Sequence, residues 1–170
     1  MKQAISEKEL DFKLKLIAKQ ISDEHRDDPT PVVLVCILNG GFMFFSDLVK
    51  QINIPIEIDF IRCKSYLGRK QGDLVVTKDL ETKIKNKHVY LVDDILDSGN
   101  TMKAVSKFLS VKEPKTITPV TAIYKESGDF DKVLHILYQP TDSAFDPWYI
   151  GYGMDDENGH NRNLSTIYTI

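Results

Sequence analysis

A chain of 170 residues, 42% hydrophobic and 28% charged, has the balance of an ordinary soluble domain with a real core. Its formal net charge of -3 supplies no bulk basic field, so nucleic acid is not an expected partner. No apolar h-region follows Met1, and the longest early apolar run, Val32 to Leu38, is far too short to span a bilayer, which excludes a membrane partner. Cys36 and Cys63 lie in strand-like runs without metal-ligand spacing and read as free thiols of a reducing compartment, the cytoplasm. There is no repeat and no linker-like segment, so residues 1–170 are taken as one domain.

Ser6-Glu7-Lys8-Glu9 is a capping-box signature, and Leu10, Leu14, Ile17, Ala18 and Ile21 then share one helical face. His25 and Arg26 fall just past this helix, as surface residues. Pro29-Thr30-Pro31 breaks the chain before a buried strand, Val32 to Leu38. Asn39-Gly40-Gly41 turns into an aromatic-rich helix from Phe42 to Ile52. A Gly-Gly pair is more often a tight turn or a packing device than a ligand site, but this one stands between a strand and a helix. Ile56, Ile58 and Phe60 alternate with Glu57 and Asp59 as a half-buried strand that continues to Tyr66. A polar, Gly-containing loop to Asp73 precedes a short strand, Leu74 to Thr77. Lys78 to Lys87 is charged and reads as an exposed turn or short strand.

His88 to Met102 carries the densest chemistry. The apolar run Val89 to Val92 reads as a buried, parallel strand. Asp93 and Asp94 follow at once, Asp97 comes two apolar residues later, and Ser98, Gly99, Asn100 and Thr101 lead into a helix. In an open α/β sheet, ligands bind at this end of the strands. Gly99 permits a positive φ and a close backbone approach. Ser98 to Thr101 aim successive N–H groups and hydroxyls at one point, an anion site suited to a phosphate monoester. Asp93 and Asp94 suit a sugar diol and Mg²⁺. The bland reading gives Asp97 or Ser98 an N-cap role and leaves Asp93–Asp94 in a solvated turn. Three carboxylates and a Gly-containing turn at one strand end favour a sugar phosphate.

Glu113-Pro114-Lys115 ends the next helix, and Thr116 to Tyr124 is a strand closing on Lys125, which by itself is a solvated strand end. Val133 to Tyr138 is a strand with His135 as a core or edge histidine. After a loop to Asp146 comes Pro147-Trp148-Tyr149-Ile150-Gly151-Tyr152-Gly153-Met154-Asp155, then a strand-like tail from Leu164 to Ile170. The recurring order of strand, turn and helix makes the chain α/β. It predicts a mostly parallel central sheet flanked by helices on both faces, with a small hood from the C-terminal segment.

The run Val92-Asp93-Asp94-Ile95-Leu96-Asp97-Ser98-Gly99-Asn100-Thr101 resembles the phosphoribosyl pyrophosphate (PRPP) motif of type I phosphoribosyltransferases. Asp at 97 is similar to the 6-oxopurine enzymes. Together with Asp59-Phe60, Ser65-Tyr66, Lys125 and Gly151 to Asp155, it identifies the chain as resembling the hypoxanthine-guanine phosphoribosyltransferases from Val32 to Arg162. The resemblance implies the type I phosphoribosyltransferase fold and transfer of 5-phosphoribosyl from PRPP to N9 of a 6-oxopurine base. It implies a homodimer or homotetramer and Mg²⁺ held by Asp93, Asp94 and Asp155. Asp97 becomes the general base at N7, with Asp93 and Asp94 on the ribose and Ser98, Gly99, Asn100 and Thr101 on the 5′-phosphate. The loop at Asn39 and Gly40, often with a cis peptide, and Arg162 take the pyrophosphate. Asn39 stands where the family has Lys or Arg, and Arg162 is one residue further from Asp155 than the pattern. Ser65 and Tyr66 open a flexible lid. Lys125 donates to the 6-oxo group, Trp148 stacks on the base, and Tyr149 and Asp155 border it. Two alternatives stand beside this: a xanthine-preferring enzyme, and a non-catalytic regulator of the same fold that senses PRPP or a nucleotide.

Overall fold

A computed structural model describes residues 1–65, 74–125, 130–140 and 146–170. Its centre is a six-stranded sheet. In chain order the strands are β2 (Val32–Leu38), β3 (Glu57–Ser65), β4 (Leu74–Lys78), β5 (His88–Leu96), β6 (Thr116–Lys125) and β7 (Leu134–Gln139). In space they lie β4-β3-β2-β5-β6-β7, all parallel except the antiparallel edge strand β4. The expected mostly parallel α/β sheet is present.

Two separate cores explain why β2 is apolar at every position. Val32, Leu34 and Cys36 pack in one layer with α1 (Glu7–His25) and α2 (Phe42–Gln51). Val33, Val35 and Ile37 pack in the other, with Met102, Val105 and Leu109 of α3 (Asn100–Ser110). A strand covered on both faces keeps no polar side. Each fully buried Val or Leu contributes roughly 1.5–3 kcal/mol over exposure. The N-terminus of α1 is capped as its sequence predicts, with the Ser6 hydroxyl accepting from the Glu9 N–H at 3.2 Å.

Four local expectations change. The alternation of β3 fails at one pair, where Ile58 is exposed and Asp59 is only 5% exposed, while Ile56 and Phe60 pack against the core and Glu57 is exposed. The Asp59 carboxylate accepts from the backbone N–H groups of Phe60 (2.7 Å), Glu81 (2.8 Å) and Thr82 (2.7 Å), which satisfies the buried charge. The segment from Lys78 to Lys87 is not simply exposed, because Ile84 is buried in the α3-side core. His25 ends α1 half-buried against His88 and Tyr90 rather than lying past it on the surface. The hood draws on both ends of the chain: β1 (Lys2–Gln3), β9 (Tyr168–Thr169) and β8 (Tyr149–Ile150) pair antiparallel in that spatial order. Both cysteines are free, as expected, with Cys36 buried and Cys63 half-buried. Among the described residues no helix is long and apolar enough to cross a membrane.

Candidate active site

β5 carries Asp93 and Asp94 inside its last turns of pleat rather than in the loop after it, since the strand runs on to Leu96. Tyr90 and Val92 belong to the α1–α2 layer and Val89 and Leu91 to the α3 layer, yet Ile95 joins the first and Leu96 the second. The two-residue alternation therefore slips by one across the aspartates. The neighbouring β6 slips at the same level, with Ala122 and Ile123 both in the first layer. The Thr121 hydroxyl bridges this irregularity, 3.0 Å from the Asp94 carbonyl oxygen and 2.9 Å from that of Ile123. Asp93 and Asp94 end up lining one cavity of about 200 Å³ with Asp97, Ser98, Gly99, Asn100 and Thr101.

The floor of that cavity is the start of α3. Gly99 has φ 74°, the left-handed conformation its lack of a Cβ allows, and no side chain caps the helix. The Asn100 N–H lies 3.4 Å from the Ser98 hydroxyl, a long contact. Uncapped N–H groups at a helix N-terminus attract anions. On the other side the β2–α2 loop closes in. The Leu38–Asn39 peptide is cis. A Cβ on Gly40 would stand 1.7 Å from Asp94 Oδ2, and one on Gly153, at φ 102°, would stand 2.0 Å from the Gly40 carbonyl oxygen. Only glycine at both positions lets the hood, this loop and Asp94 meet.

A second cavity of about 320 Å³ adjoins the first and shares Asp94, Ile95 and Asp97 with it. Its far wall is Lys125, Asp146, Trp148, Tyr149 and Asp155. The Lys125 side chain is 12% exposed, 2.6 Å from Asp146 and 3.6 Å from Asp97. Burial alone would lower its pKa, but the two carboxylates outweigh that and raise it, so it stays an ammonium. Trp148 is 56% exposed, an indole standing open beside the cavity rather than filling the core. Its Nε1 donates to the Asp155 carbonyl oxygen at 3.3 Å. The Tyr149 hydroxyl donates to Gln139 at 3.1 Å. Arg162 donates to the Gly153 carbonyl oxygen at 2.6 Å and to the Asp155 carboxylate at 2.5 Å, within the hood. Tyr152 pins that hood to α2 through a 2.8 Å hydrogen bond to Asp47.

Burial pushes the Asp93 carboxyl well above its usual range, and the Asp94 charge adds to the shift. Burial also raises Asp94, against hydrogen bonds and the Arg162 charge that favour ionisation. A cation or sugar hydroxyls placed here would relieve that cost.

All the expected phosphate, ribose and base residues converge on these adjoining cavities. The expected pyrophosphate residues Asn39, Gly40 and Arg162 line neither cavity: Asn39 is exposed, and Arg162 is bonded to Asp155. For the lid, Ser65 ends β3, while Tyr66 lies outside the described residues. Sequence reasoning missed Asp146, whose only signal is its place before Pro147-Trp148, and it missed the contact of Gly40 with Asp94 and Gly153.

The sequence model of the phosphoribosyl transferase domain matches residues 6–157. The chain belongs to the phosphoribosyltransferase family. Among its relatives within that family, the hypoxanthine phosphoribosyltransferase of Buchnera aphidicola subsp. Schizaphis graminum is 35% identical over 159 residues, 91% of this chain and 88% of the relative. The crystal structure of a hypoxanthine phosphoribosyltransferase from Staphylococcus aureus superimposes with a TM-score of 0.88 at 30% identity, covering 99% of this chain and 90% of the other. The Trypanosoma cruzi hypoxanthine phosphoribosyltransferase in complex with the product IMP gives 0.86 at 26% identity, covering 99% and 92%. The resemblance of the PRPP motif thus extends to the whole phosphoribosyltransferase fold.

Proposed function

We propose that this phosphoribosyltransferase acts in purine salvage as one domain, transferring 5-phosphoribosyl from PRPP to N9 of hypoxanthine or guanine and forming IMP or GMP and pyrophosphate. One observation carries the proposal: an anion cradle and a base-sized cavity share the wall from Asp94 to Asp97, with a buried ammonium across the second cavity. A 5′-phosphate on Ser98 to Thr101 anchors the sugar, so binding energy remote from C1 positions the reacting carbon. Asp93 and Asp94 accept from the ribose hydroxyls. As the C1–pyrophosphate bond breaks, the ribose becomes oxocarbenium-like. The loop amides at Asn39 and Gly40, with Arg162, face the charge on the leaving group. Lys125 donates to the 6-oxo oxygen and thereby disfavours adenine, whose 6-amino group is also a donor. Trp148 covers a face of the purine, and Tyr149 and Asp155 border its edge. Asp97 takes the N7 proton as N9 attacks.

Mg²⁺ fits the donor chemistry of Asp93, Asp94 and Asp155, which offer hard carboxylate oxygens at a site whose burial disfavours uncompensated charge. Among the described residues these three do not converge into a closed cage, which suits an ion that takes its other oxygens from PRPP and water. When bound, it supplies neutralisation of the pyrophosphate charge. The family resemblance adds a homodimer or homotetramer, checked by light scattering of the purified chain.

Asp97→Asn tests the catalytic step. Its exposed carboxylate is removed without touching a core. The expected result is a kcat lower by roughly 10²–10⁴-fold with IMP affinity nearly unchanged. Unchanged turnover removes Asp97 as the base.

A further inference from the structure

The amino edge of the sheet, opposite the cavities above, holds a second cluster that phosphoribosyl transfer does not use. His25 ends α1, His88 begins β5, and Asp28 lies in the connection before β2. Among the described residues this is the trio whose ligand atoms converge, all within 4.8 Å of one another. The His25 and His88 ring centroids are 4.4 Å apart.

The hydrogen bonds assign the proton of His25. The Tyr90 hydroxyl donates its one hydrogen to Glu24 at 3.0 Å, so it accepts from His25 Nε2 at 2.8 Å. His25 Nε2 therefore carries the hydrogen, and Nδ1 is left as a bare lone pair. That Nδ1 is buried and has no hydrogen-bond partner. His88 Nε2 donates to Asp28 Oδ2 at 3.1 Å, and its Nδ1 lies 2.8 Å from the Thr116 hydroxyl, which can accept a hydrogen from Nδ1 once Nε2 gives up its own to a bound cation. His25 is thus held at Nε2 by Tyr90 and His88 at Nδ1 by Thr116, which leaves His25 Nδ1, and His88 Nε2 after loss of the proton it shares with Asp28, as the nitrogens a cation can take. Histidines that bind metal are oriented in this way. A buried acceptor with no donor calls for one.

We propose that His25 Nδ1, His88 Nε2 and Asp28 Oδ2 form a site for a borderline-soft divalent cation of the zinc type. Two imidazoles and one carboxylate suit Zn²⁺ or Co²⁺ and are a poor set for Mg²⁺, which demands oxygen. A tetrahedral ion with bonds of about 2.0–2.1 Å spaces its donors by about 3.4 Å, so His88 and Asp28 are already in place and the widest pair closes by about 1.4 Å. A groove of about 380 Å³ lined by His25, Asp28 and Thr30 opens beside the cluster and leaves the fourth position to water. Lys115, half-exposed and 3.3 Å from the same Asp28 oxygen, swings to solvent as the ion enters. The bound ion ties the end of α1 to the amino ends of β2 and β5.

The test is a Zn²⁺ titration of the full chain after EDTA treatment and desalting, without PRPP or purine. It is read by calorimetry and thermal unfolding and repeated with Co²⁺ for its visible spectrum. The expected result is one Zn²⁺ per chain with a Kd of about 1 µM or tighter, a raised Tm, tetrahedral Co²⁺ bands, and no competition from millimolar Mg²⁺. His25→Gln and Asp28→Asn, each keeping a polar group of similar size, abolish the bands and the Tm rise and leave kcat unchanged. Asp94→Asn keeps both signals, which separates this site from the active-site carboxylates. The proposal is overturned by no Zn²⁺ binding at this affinity. It is equally overturned if the bands persist in both His25→Gln and Asp28→Asn, or if they vanish in Asp94→Asn.

Discussion

In the proposed reading Lys125 selects the base, because its ammonium, only 12% exposed and held between the exposed carboxylates of Asp146 and Asp97, can donate a hydrogen bond and cannot accept one. A neutral 6-oxo oxygen can share that ammonium; an amino group cannot. Lys125→Ala is expected to lower kcat/KM for hypoxanthine and guanine by about 10²-fold or more, because the charged donor to the 6-oxo group is lost. PRPP affinity measured without base should stay within about threefold, well under the 1.4 kcal/mol that a tenfold change represents. An equal loss for PRPP alone rules out base reading by Lys125. Asp93 and Asp94 give a pH signature. Both pKa values are raised, first by burial, so in acid the pair holds a proton that Mg²⁺, bound there as proposed, would have to displace. Mg²⁺–PRPP affinity should rise with pH above the ordinary carboxylate range near 4 and level off once the pair is ionised. Calorimetry across pH checks this, with Asp93→Asn flattening the acid limb; an affinity that falls as pH rises contradicts it. The sequence gives away the identity of these side chains through one compact motif, but not their partners. Asp146 comes from a distant loop, and nothing local to it announces an ion pair.

At the scale of elements, periodicity located the strands that are buried on both faces or carry a continuous apolar run, and it misjudged those shaped by polar contacts. Val32 to Leu38 is β2 as expected, because seven successive apolar residues have only one economical conformation between two helical layers. β3 deceived, because a carboxylate that satisfies three backbone N–H groups is stable inside while Ile58 stays out. Those hydrogen bonds hold the Asp59 pKa below its ordinary value although burial pulls the other way. The sign follows: the stabilisation is present above the unfolded value of about 3.9 and is lost as pH falls through the lower folded value. Asp59→Asn places an amide hydrogen against at least one backbone donor. It should cost about 1–3 kcal/mol, some 2–4 °C of Tm per kcal/mol for a domain of this size. A Tm within a degree of the parent contradicts the role. The β2–α2 turn makes a sharper prediction. Gly40→Ala forces its methyl into Asp94, so PRPP binding should fall by at least tenfold while the secondary structure by circular dichroism is kept. Wild-type PRPP affinity in that variant means the loop can retreat without consequence for the site.

For the whole molecule, the order of strands and helices in the chain was enough to reach the parallel sheet, since crossover rules leave few arrangements. The hood was less legible. Two-residue strands carry no periodic signal, and β1 and β9 pair across nearly the whole chain length. The phase slip at Asp93–Asp94 was likewise invisible, because it depends on β6 slipping beside it. The assembled molecule has two adjoining cavities that share the wall from Asp94 to Asp97, and the most direct test of the proposed phosphate and base roles is turnover across that wall. Nucleotide formation from PRPP is measured with hypoxanthine, guanine, xanthine and adenine, each with and without Mg²⁺. IMP and GMP are expected, both dependent on Mg²⁺, and AMP is not; failure to form a nucleotide with any of the four purines, or adenine used as well as hypoxanthine, would contradict transfer to a 6-oxopurine.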